Sequence, residues 1–333
     1  MPIFCAHSHK CYVSRCAVVF NLANKQCLNS WHHPWALAST HLGVGTACML
    51  PLWMPLPRGR EADGTPKKWR SVRAPPSLSW SDLRAIMPVV ALLATGHVTS
   101  TLAPAYGTVA FSNIIKTAEP LFTCFFSVML YRKVFPPGVY LSLLFVVCGV
   151  MLVSAREVNF SYFSLAAGMI SNGAFALYSI GAKNLLATRD ARSTYAILTS
   201  LSCLVLTPVA LIMEWSELGA SRLAAAGSTP AFTGWRLAGL LAFTGLVQYL
   251  SNEVAFCTLS MIHPITYALA NTFKRSLVVF ASLLFFRQSL PPMGAAGAAM
   301  ALLGALGYSL AMERERARQE QLQAAAKLKI KSS

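Results

Sequence analysis

Residues 131–154 read YRKVFPPGVYLSLLFVVCGVMLVS, and residues 286–309 read FRQSLPPMGAAGAAMALLGALGYS. Laid over one another at an offset of 155, without gaps, they coincide at Arg132 and Arg287, Pro136-Pro137 and Pro291-Pro292, Gly149 and Gly304, and Ser154 and Ser309. An R-x-x-x-P-P step therefore opens two apolar runs. Proline suits the first turn of a helix and drives the residue before it into extended backbone, so each step reads as a loop followed by a helix start. The coincidence predicts that the chain contains one structural unit twice.

Outward from these two runs, the chain divides into ten apolar segments, at 12–31, 35–56, 85–105, 109–131, 136–155, 160–182, 194–214, 233–257, 264–286 and 291–312. Each is near the roughly 20 residues a helix needs to cross a hydrocarbon core. None alternates apolar with polar residues, so helices rather than barrel strands satisfy the backbone in lipid. The predicted fold is an all-α integral membrane protein of ten transmembrane helices. Five helices lie in 12–155, interrupted by a basic, irregular loop at 57–84, and five in 160–312. A charged tail at 313–333 is able to extend the last helix. An odd number of helices per unit inverts the second copy in the membrane. Inverted repeats are a mark of secondary transporters, with the substrate near the midplane between the halves.

Composition agrees. The chain of 333 residues is 55% hydrophobic and 12% charged, whereas a soluble domain is roughly a quarter charged. This excludes a disordered chain and argues against an ordinary soluble enzyme. The net charge of +16 would suit nucleic acid, but the charges lie between apolar runs without aromatic interleaving. They sort by side instead. The loops after segments 2, 4 and 6 and the C-terminal tail carry 18 Lys and Arg, and the opposite loops carry 5 (Lys25, Arg156, Arg222, Arg236 and Arg287). The positive-inside rule then places both termini on the cytosolic side, or the stromal side of a plastid membrane. Segment 1 is the least apolar. No signal or transit peptide is read before it, and localisation is not read from this end.

Nine cysteines occur without a C-x-x-C pair, and most of those after Cys27 lie within apolar runs, where cysteine behaves as a small hydrophobe. No disulfide framework, metal site or cofactor is expected. There is no G-x-x-x-x-G-K-[ST], H-E-x-x-H or G-x-S-x-G, so neither an ATP-driven motor nor a hydrolase is indicated. Glu119 and Glu253 are read as the only acids near the membrane interior, which leaves no paired-carboxylate chemistry.

Charge inside the bilayer is the most informative signal, because Lys or Arg at a helix centre costs roughly 2.5–3.5 kcal/mol. Lys116 lies in segment 4, and Lys274 and Arg275 lie in segment 9, each the fourth helix of its repeat. At the 155 offset Lys116 falls on Asn271, one helical turn before Lys274. Three cations at corresponding depths suit an anion of two or more charges; Arg grips phosphate or carboxylate with a fork, and Lys acts as a mobile point charge. Glu119 lies three residues after Lys116, on the same face, and reads as the cations' charge partner in an empty carrier. That pairing would disfavour reorientation without cargo. Two acids do not neutralise three bases. His97, with Ser100 one turn on, is expected at a depth similar to Lys116 on the adjacent helix, and His263 reads as a helix-start feature.

These residues resemble a known family. GHVTS (96–100), FSNIIKTAEPLF (111–122), HPITYALANTFKRSLVV (263–279) and NLANK (21–25) are similar to stretches of the triose-phosphate/phosphate translocators, in the drug/metabolite transporter superfamily. The similarity runs from about 17 to 312. It implies ten helices in two inverted repeats and strict counter-exchange of inorganic phosphate with phosphorylated C3, C5 or C6 compounds. It further implies phosphate binding by Lys116, Lys274 and Arg275, with His97 and Ser100 beside them, and no cofactor. Two positions depart from the plastid pattern. Tyr178 stands where those members carry Arg, and Ser251 where they carry Tyr; both are expected to face the distal end of the substrate. Non-plastid relatives also lack that Arg, so a plastid inner envelope and a Golgi or ER membrane both remain open. The expected function is an antiporter for triose phosphate, phosphoenolpyruvate or another sugar phosphate against phosphate, with a monomer sufficient. The competing readings are an endomembrane nucleotide-sugar carrier of the same superfamily and a non-transporting membrane trafficking protein.

Overall fold

The computed structural model describes residues 17–53, 55–56, 70–71, 79–132, 134–155, 157, 160–186, 191–225, 234–261, 264–287 and 291–332. The expectations for residues 1–16, for most of the 57–78 loop, for Arg156, for His263 and for the side chains of Asn271 and Arg222 lie outside them. Among the described residues the chain is helical apart from one two-residue β-ladder. Helix α1 covers 17–30, α2 Pro34–Trp53, α3 Trp80–Ala105, α4 Val109–Ile115, α5 Glu119–Tyr131 and α6 Pro137–Ser154. Then follow α7 Tyr162–Leu186, α8 Ala191–Ala225, α9 Gly234–Met261, α10 Pro264–Phe285 and α11 Pro292–Ser332. Among the described residues six spans are long and apolar enough to cross a membrane: α3, the α4–α5 unit, α6, and the Tyr162–Leu185, Ser193–Trp215 and Pro292–Glu315 portions of α7, α8 and α11. Leu144, Leu204, Ile212 and Leu303 are each more than half exposed on outward faces, as lipid-facing residues are and a soluble surface seldom is.

Local chemistry sets the boundaries. The 57–84 loop, read as irregular, is shorter at its end than expected, because α3 begins at Trp80. The Ser79 amide donates to the Asp82 carboxylate at 3.1 Å, which fixes that start. Segment 35–56 is helical only to Trp53, and its last two residues, Pro55–Leu56, pair antiparallel with Arg70–Ser71 of the loop. Thr108 caps α4, its hydroxyl accepting from the Phe111 amide at 3.1 Å. Segment 4, expected as one helix, is two helices joined by a 3-10 turn at Lys116–Ala118. The tail continues α11 in helical form.

Two kinds of contact hold the helices together. The first is close backbone approach. A Cβ on Gly149 of α6 would lie 2.5 Å from the Ala301 amide of α11, and one on Gly304 would lie 2.8 Å from the Val146 amide. Small residues at such crossings let dispersion act along the whole seam where lipid removes the hydrophobic drive. The second is polar bonding between helices. Ser171 donates to the Gly96 carbonyl at 3.0 Å and Ser164 to that of Ala103 at 2.7 Å, tying α7 to α3. Ser202 on α8 donates to the Val90 carbonyl of α3 at 3.2 Å. Ser39 of α2 meets Thr207 of α8 at 2.9 Å.

One buried acid lies among these contacts. Glu214, 3% exposed on α8, accepts the Trp35 and Ala36 amides of α2 at 2.9 Å each and lies 3.9 Å from His33 Nδ1. It satisfies amides that the first turn of a helix leaves without partners, at the positive end of the helix dipole. The expectation that Glu119 and Glu253 are the only interior acids is corrected by this residue. Its place at the last position of segment 194–214 made it read as a boundary. Lys25, counted from sequence as a loop charge, lies on α1 and donates to the Pro104 and Gly107 carbonyls at 2.7 and 3.0 Å.

Candidate functional site

The break in segment 4 builds the centre of the site. Pro120 has no amide hydrogen, so it cannot donate to the carbonyl four residues back, that of Lys116. The chain tightens into the 3-10 turn, and the Glu119 amide bonds to the Lys116 carbonyl instead. This leaves that carbonyl with capacity for a second donor, and Arg275 of α10 supplies it through Nη1. The other arm of the same guanidinium, Nη2, bonds to Glu119 Oε2 at 2.5 Å. The K-x-x-E-P spacing thus presents a carbonyl and a carboxylate to one planar fork, a geometry that lysine cannot reproduce. Asn172 of α7 secures the preceding turn, donating to the Ile115 carbonyl at 2.8 Å.

Lys116, Lys274 and Arg275 are close enough for their charges to act on one another, and Glu119 acts on both lysines. Among the described residues, neither Lys116 nor Lys274 has a carboxylate within ion-pair distance, whereas Arg275 is paired. Counted formally, three cations against Glu119 leave a surplus of two positive charges where the 3-10 turn meets α10. Glu253 lies elsewhere, acting on Tyr195 of α8.

Lys116 also lines a narrow cavity of about 20 Å³ together with His97 and Ser100, so three of the five expected ligands share one space. That volume admits about one water. Asn21 and Asn24 of α1, Asn113 of α4 and Gln248 of α9 add to its polar wall, with Thr101 and Ser112. His97 is 6% exposed. One ring nitrogen is hydrogen-bonded to the Ala38 carbonyl, and Nε2 is buried without a partner. His41 stands edge-on to it, with ring centroids 5.8 Å apart, and is itself held by Thr244 at 3.2 Å.

The remaining expected residues lie apart from this cavity. Tyr178 is buried with Ile86, Val89, Leu93 and Ile197 where α3, α7 and α8 meet, and its hydroxyl has no partner. The Ser251 hydroxyl is likewise buried and unpartnered on α9. Neither lines the cavity. Asn24 and Asn113 lie in the NLANK and FSNIIKTAEPLF stretches quoted for the resemblance but were given no role, and Gln248 and His41 were not singled out. Each is polar within an apolar run, the same signal that marked His97. Among the described residues no group of three His, Cys, Asp or Glu side chains could hold a metal ion.

The partly buried cluster brings three basic side chains and one carboxylate together. Residues 12–309 match the model of the Triose-phosphate Transporter family. The chain is 33% identical over 300 residues to "Glucose-6-phosphate/phosphate translocator 1, chloroplastic" of Arabidopsis thaliana, covering 88% of this chain and 72% of that protein. It is 31% identical over 305 residues to the chloroplastic xylulose 5-phosphate/phosphate translocator of the same plant, covering 90% and 68%. It is also 31% identical over 297 residues to the chloroplastic triose phosphate/phosphate translocator of Flaveria pringlei, covering 88% and 68%. A protein crystal structure that is 13% identical superposes with a TM-score of 0.53 over 91% of this chain and 98% of that one, a likeness of fold alone. With a family-model match over nearly its whole length and relatives about one third identical, the chain belongs to the Triose-phosphate Transporter family, whose members are transporters and not enzymes.

Proposed function

We propose that the protein is a secondary antiporter that exchanges an organic phosphate for inorganic phosphate by alternating access. The observation that carries this reading is the charge count at the α4–α10 contact. Lys116, Lys274 and Arg275 face one carboxylate, Glu119. A phosphate monoester near neutral pH carries about −1.5 to −2 charges, with three acceptor oxygens, and hydrogen phosphate is close to it in charge. Either cargo nearly cancels the surplus. The loaded site then crosses between its two states close to neutral, whereas the empty one retains two charges in a low-dielectric interior. Lys116, Lys274 and Arg275 bind the phosphoryl group in this reading, with Ser100 and His97 beside it. Glu119 holds Arg275 in place and is exchanged for substrate contacts during the cycle.

Ten membrane helices in two inverted halves fit the same account. Arg132 and Arg287 are the positive-φ residues other than glycine among those described, both at φ 50, and they end corresponding helices at the 155 offset. If α2 corresponds to α8 and α3 to α9, the packing of α2 on α9 has its counterpart in the packing of α3 on α8. The narrowness of the cavity favours parting of the halves to admit an organic phosphate. The chloroplastic relatives favour a plastid envelope over an endomembrane, with sugar phosphates as the organic cargo.

The test is uptake of labelled phosphate into liposomes holding the purified protein and preloaded with phosphate, triose phosphate, phosphoenolpyruvate, hexose phosphate or UMP. Uptake driven by phosphate and by at least one phosphorylated sugar or acid is expected. Uptake under none of these loadings refutes the reading, and uptake of a nucleotide sugar driven by UMP alone replaces it.

A further inference from the structure

We propose that Asn24, together with Nε2 of His97, forms a subsite that recognises a hydroxyl group on the organic end of the cargo. This rests on the phosphate-exchange reading above. Asn24 lies on α1 and is only 6% exposed. It lines the cavity shared by Lys116, Ser100 and His97. Its Oδ1 is buried without a hydrogen-bond partner, and so is Nε2 of His97.

The neighbours of Asn24 are all engaged. Asn21 donates to the Ala17 carbonyl at 2.8 Å and accepts from Asn113 at 3.3 Å. Asn113 also donates to the Val109 carbonyl at 2.9 Å. Lys25 is turned to the Pro104 and Gly107 carbonyls. Asn24 alone of this group keeps its amide unspent toward the cavity, whichever way round the amide is placed. Buried polar groups left unpaired are rare and unfavourable, so each calls for an external partner.

The chemistry of that partner follows from the two groups. With its other ring nitrogen turned to the Ala38 carbonyl, a neutral His97 presents a lone pair at the unpartnered Nε2, which a donor satisfies. Asn24 offers both an acceptor and donors. A hydroxyl both donates and accepts, and one or two of them satisfy both residues. With the phosphoryl group on Lys116, the organic portion of the cargo reaches toward α1.

The experiment measures competition against labelled phosphate exchange in liposomes by two phosphate monoesters of similar size, glycerol 3-phosphate and n-propyl phosphate. Both engage the cations, and only the first carries hydroxyls. The protein is expected to favour glycerol 3-phosphate by about tenfold or more, the effect of losing one or two buried hydrogen bonds. Asn24→Leu is expected to erase most of that preference, and Asn24→Ser to retain part of it. Equal competition by the two esters, as a site filled only by water would give, overturns the proposal. So does a preference that survives Asn24→Leu undiminished. If Asn24→Leu does not fold, Asn24→Ser carries the comparison. Absence of phosphate exchange in the unaltered protein instead refutes the underlying reading, which separates the two failures.

Discussion

Replacing Arg275 by lysine keeps the charge of the site and removes only its geometry. Arg275 reaches the Lys116 carbonyl with Nη1 and the Glu119 carboxylate with Nη2. The two acceptors are offered together because Pro120 withholds the amide that would tie the carbonyl into a continuous helix. One ammonium on a flexible stem cannot span both with a planar fork. On a phosphoryl group, to which the fork turns when it leaves these partners, lysine likewise offers a point charge in place of two parallel donors, so Arg275→Lys forfeits at least one charge-assisted hydrogen bond to the cargo, worth roughly 1.5–3 kcal/mol. The fork is partly exposed, with side-chain accessibilities of 15% for Arg275 and 31% for Glu119, which places the loss toward the lower end. Each 1.4 kcal/mol is about tenfold in affinity, so the apparent KM for phosphate should rise by about 10- to 30-fold. The assay is initial-rate exchange of labelled phosphate into phosphate-loaded liposomes over a range of external phosphate. Matched protein content and a melting temperature in detergent establish that the variant is folded. If only the sum of charges mattered, Arg275→Lys would be silent. A KM within a factor of two of the unaltered protein would refute the role assigned to the fork.

Three further outcomes follow from the packing. Gly149→Val places a branched side chain where even a Cβ would lie 2.5 Å from the Ala301 amide, so α6 and α11 must separate. The expected loss is about 1–3 kcal/mol or more, read as a lower melting temperature and a poor folded yield; an unchanged melting temperature contradicts the close approach. Glu214→Gln keeps one acceptor oxygen but loses the charge and one of the two amide bonds at the start of α2, with a destabilisation of about 2 kcal/mol. Stability equal to the unaltered protein would remove that cap from the account. Glu157, in the connection between α6 and α7, is half-buried and accepts from Thr108 at 3.0 Å; burial raises its pKa, and the Thr108 bond partly opposes this. A carboxylic acid with a raised folded pKa stabilises the fold below its unfolded pKa and loses that contribution as pH rises through the folded value. Glu157→Gln should therefore melt higher than the unaltered protein at about pH 8, with the difference closing as pH falls toward the ordinary glutamate range near 4. A difference that widens on acidification would contradict the sign.

What could be read from the sequence was set by free-energy scale. Lys116, Lys274 and Arg275 stood out because a full charge in an apolar run is expensive enough to need a reason. The R-x-x-x-P-P steps marked helix starts because proline acts locally, whatever the tertiary context. The break at Lys116–Ala118 was present in the sequence as Pro120, but hydropathy passes over it: a proline costs a helix one hydrogen bond without making the run less apolar. Asn24, though within the quoted NLANK stretch, was given no role, and Gln248 passed unnoticed, because a neutral amide is far less unfavourable in a membrane than a charge. Only the closure of a cavity around Asn24 distinguishes it from Asn21, which has its own partners. Glu214 stood at the edge of its segment, where an acid is commonplace, and its role depends on the start of α2 arriving opposite it from 178 residues away. Tyr178 and Ser251 were indicated by the resemblance alone, since which way a side chain faces follows from helix rotation; Tyr178 packs in the α3–α7–α8 core in this structure.

The central claim is that two surplus charges bar the empty site from crossing while a bound phosphate permits it. The most direct measurement compares the initial uptake of labelled phosphate into liposomes loaded with unlabelled phosphate and into liposomes loaded with none, at equal protein content. The account predicts uptake at least about tenfold faster into the loaded vesicles, as expected where the empty state is disfavoured by a kcal/mol or more, and loss of that uptake in Lys274→Ala. Equal rates into loaded and empty vesicles would contradict it, since an empty carrier that returns freely has no need of a counter-ion.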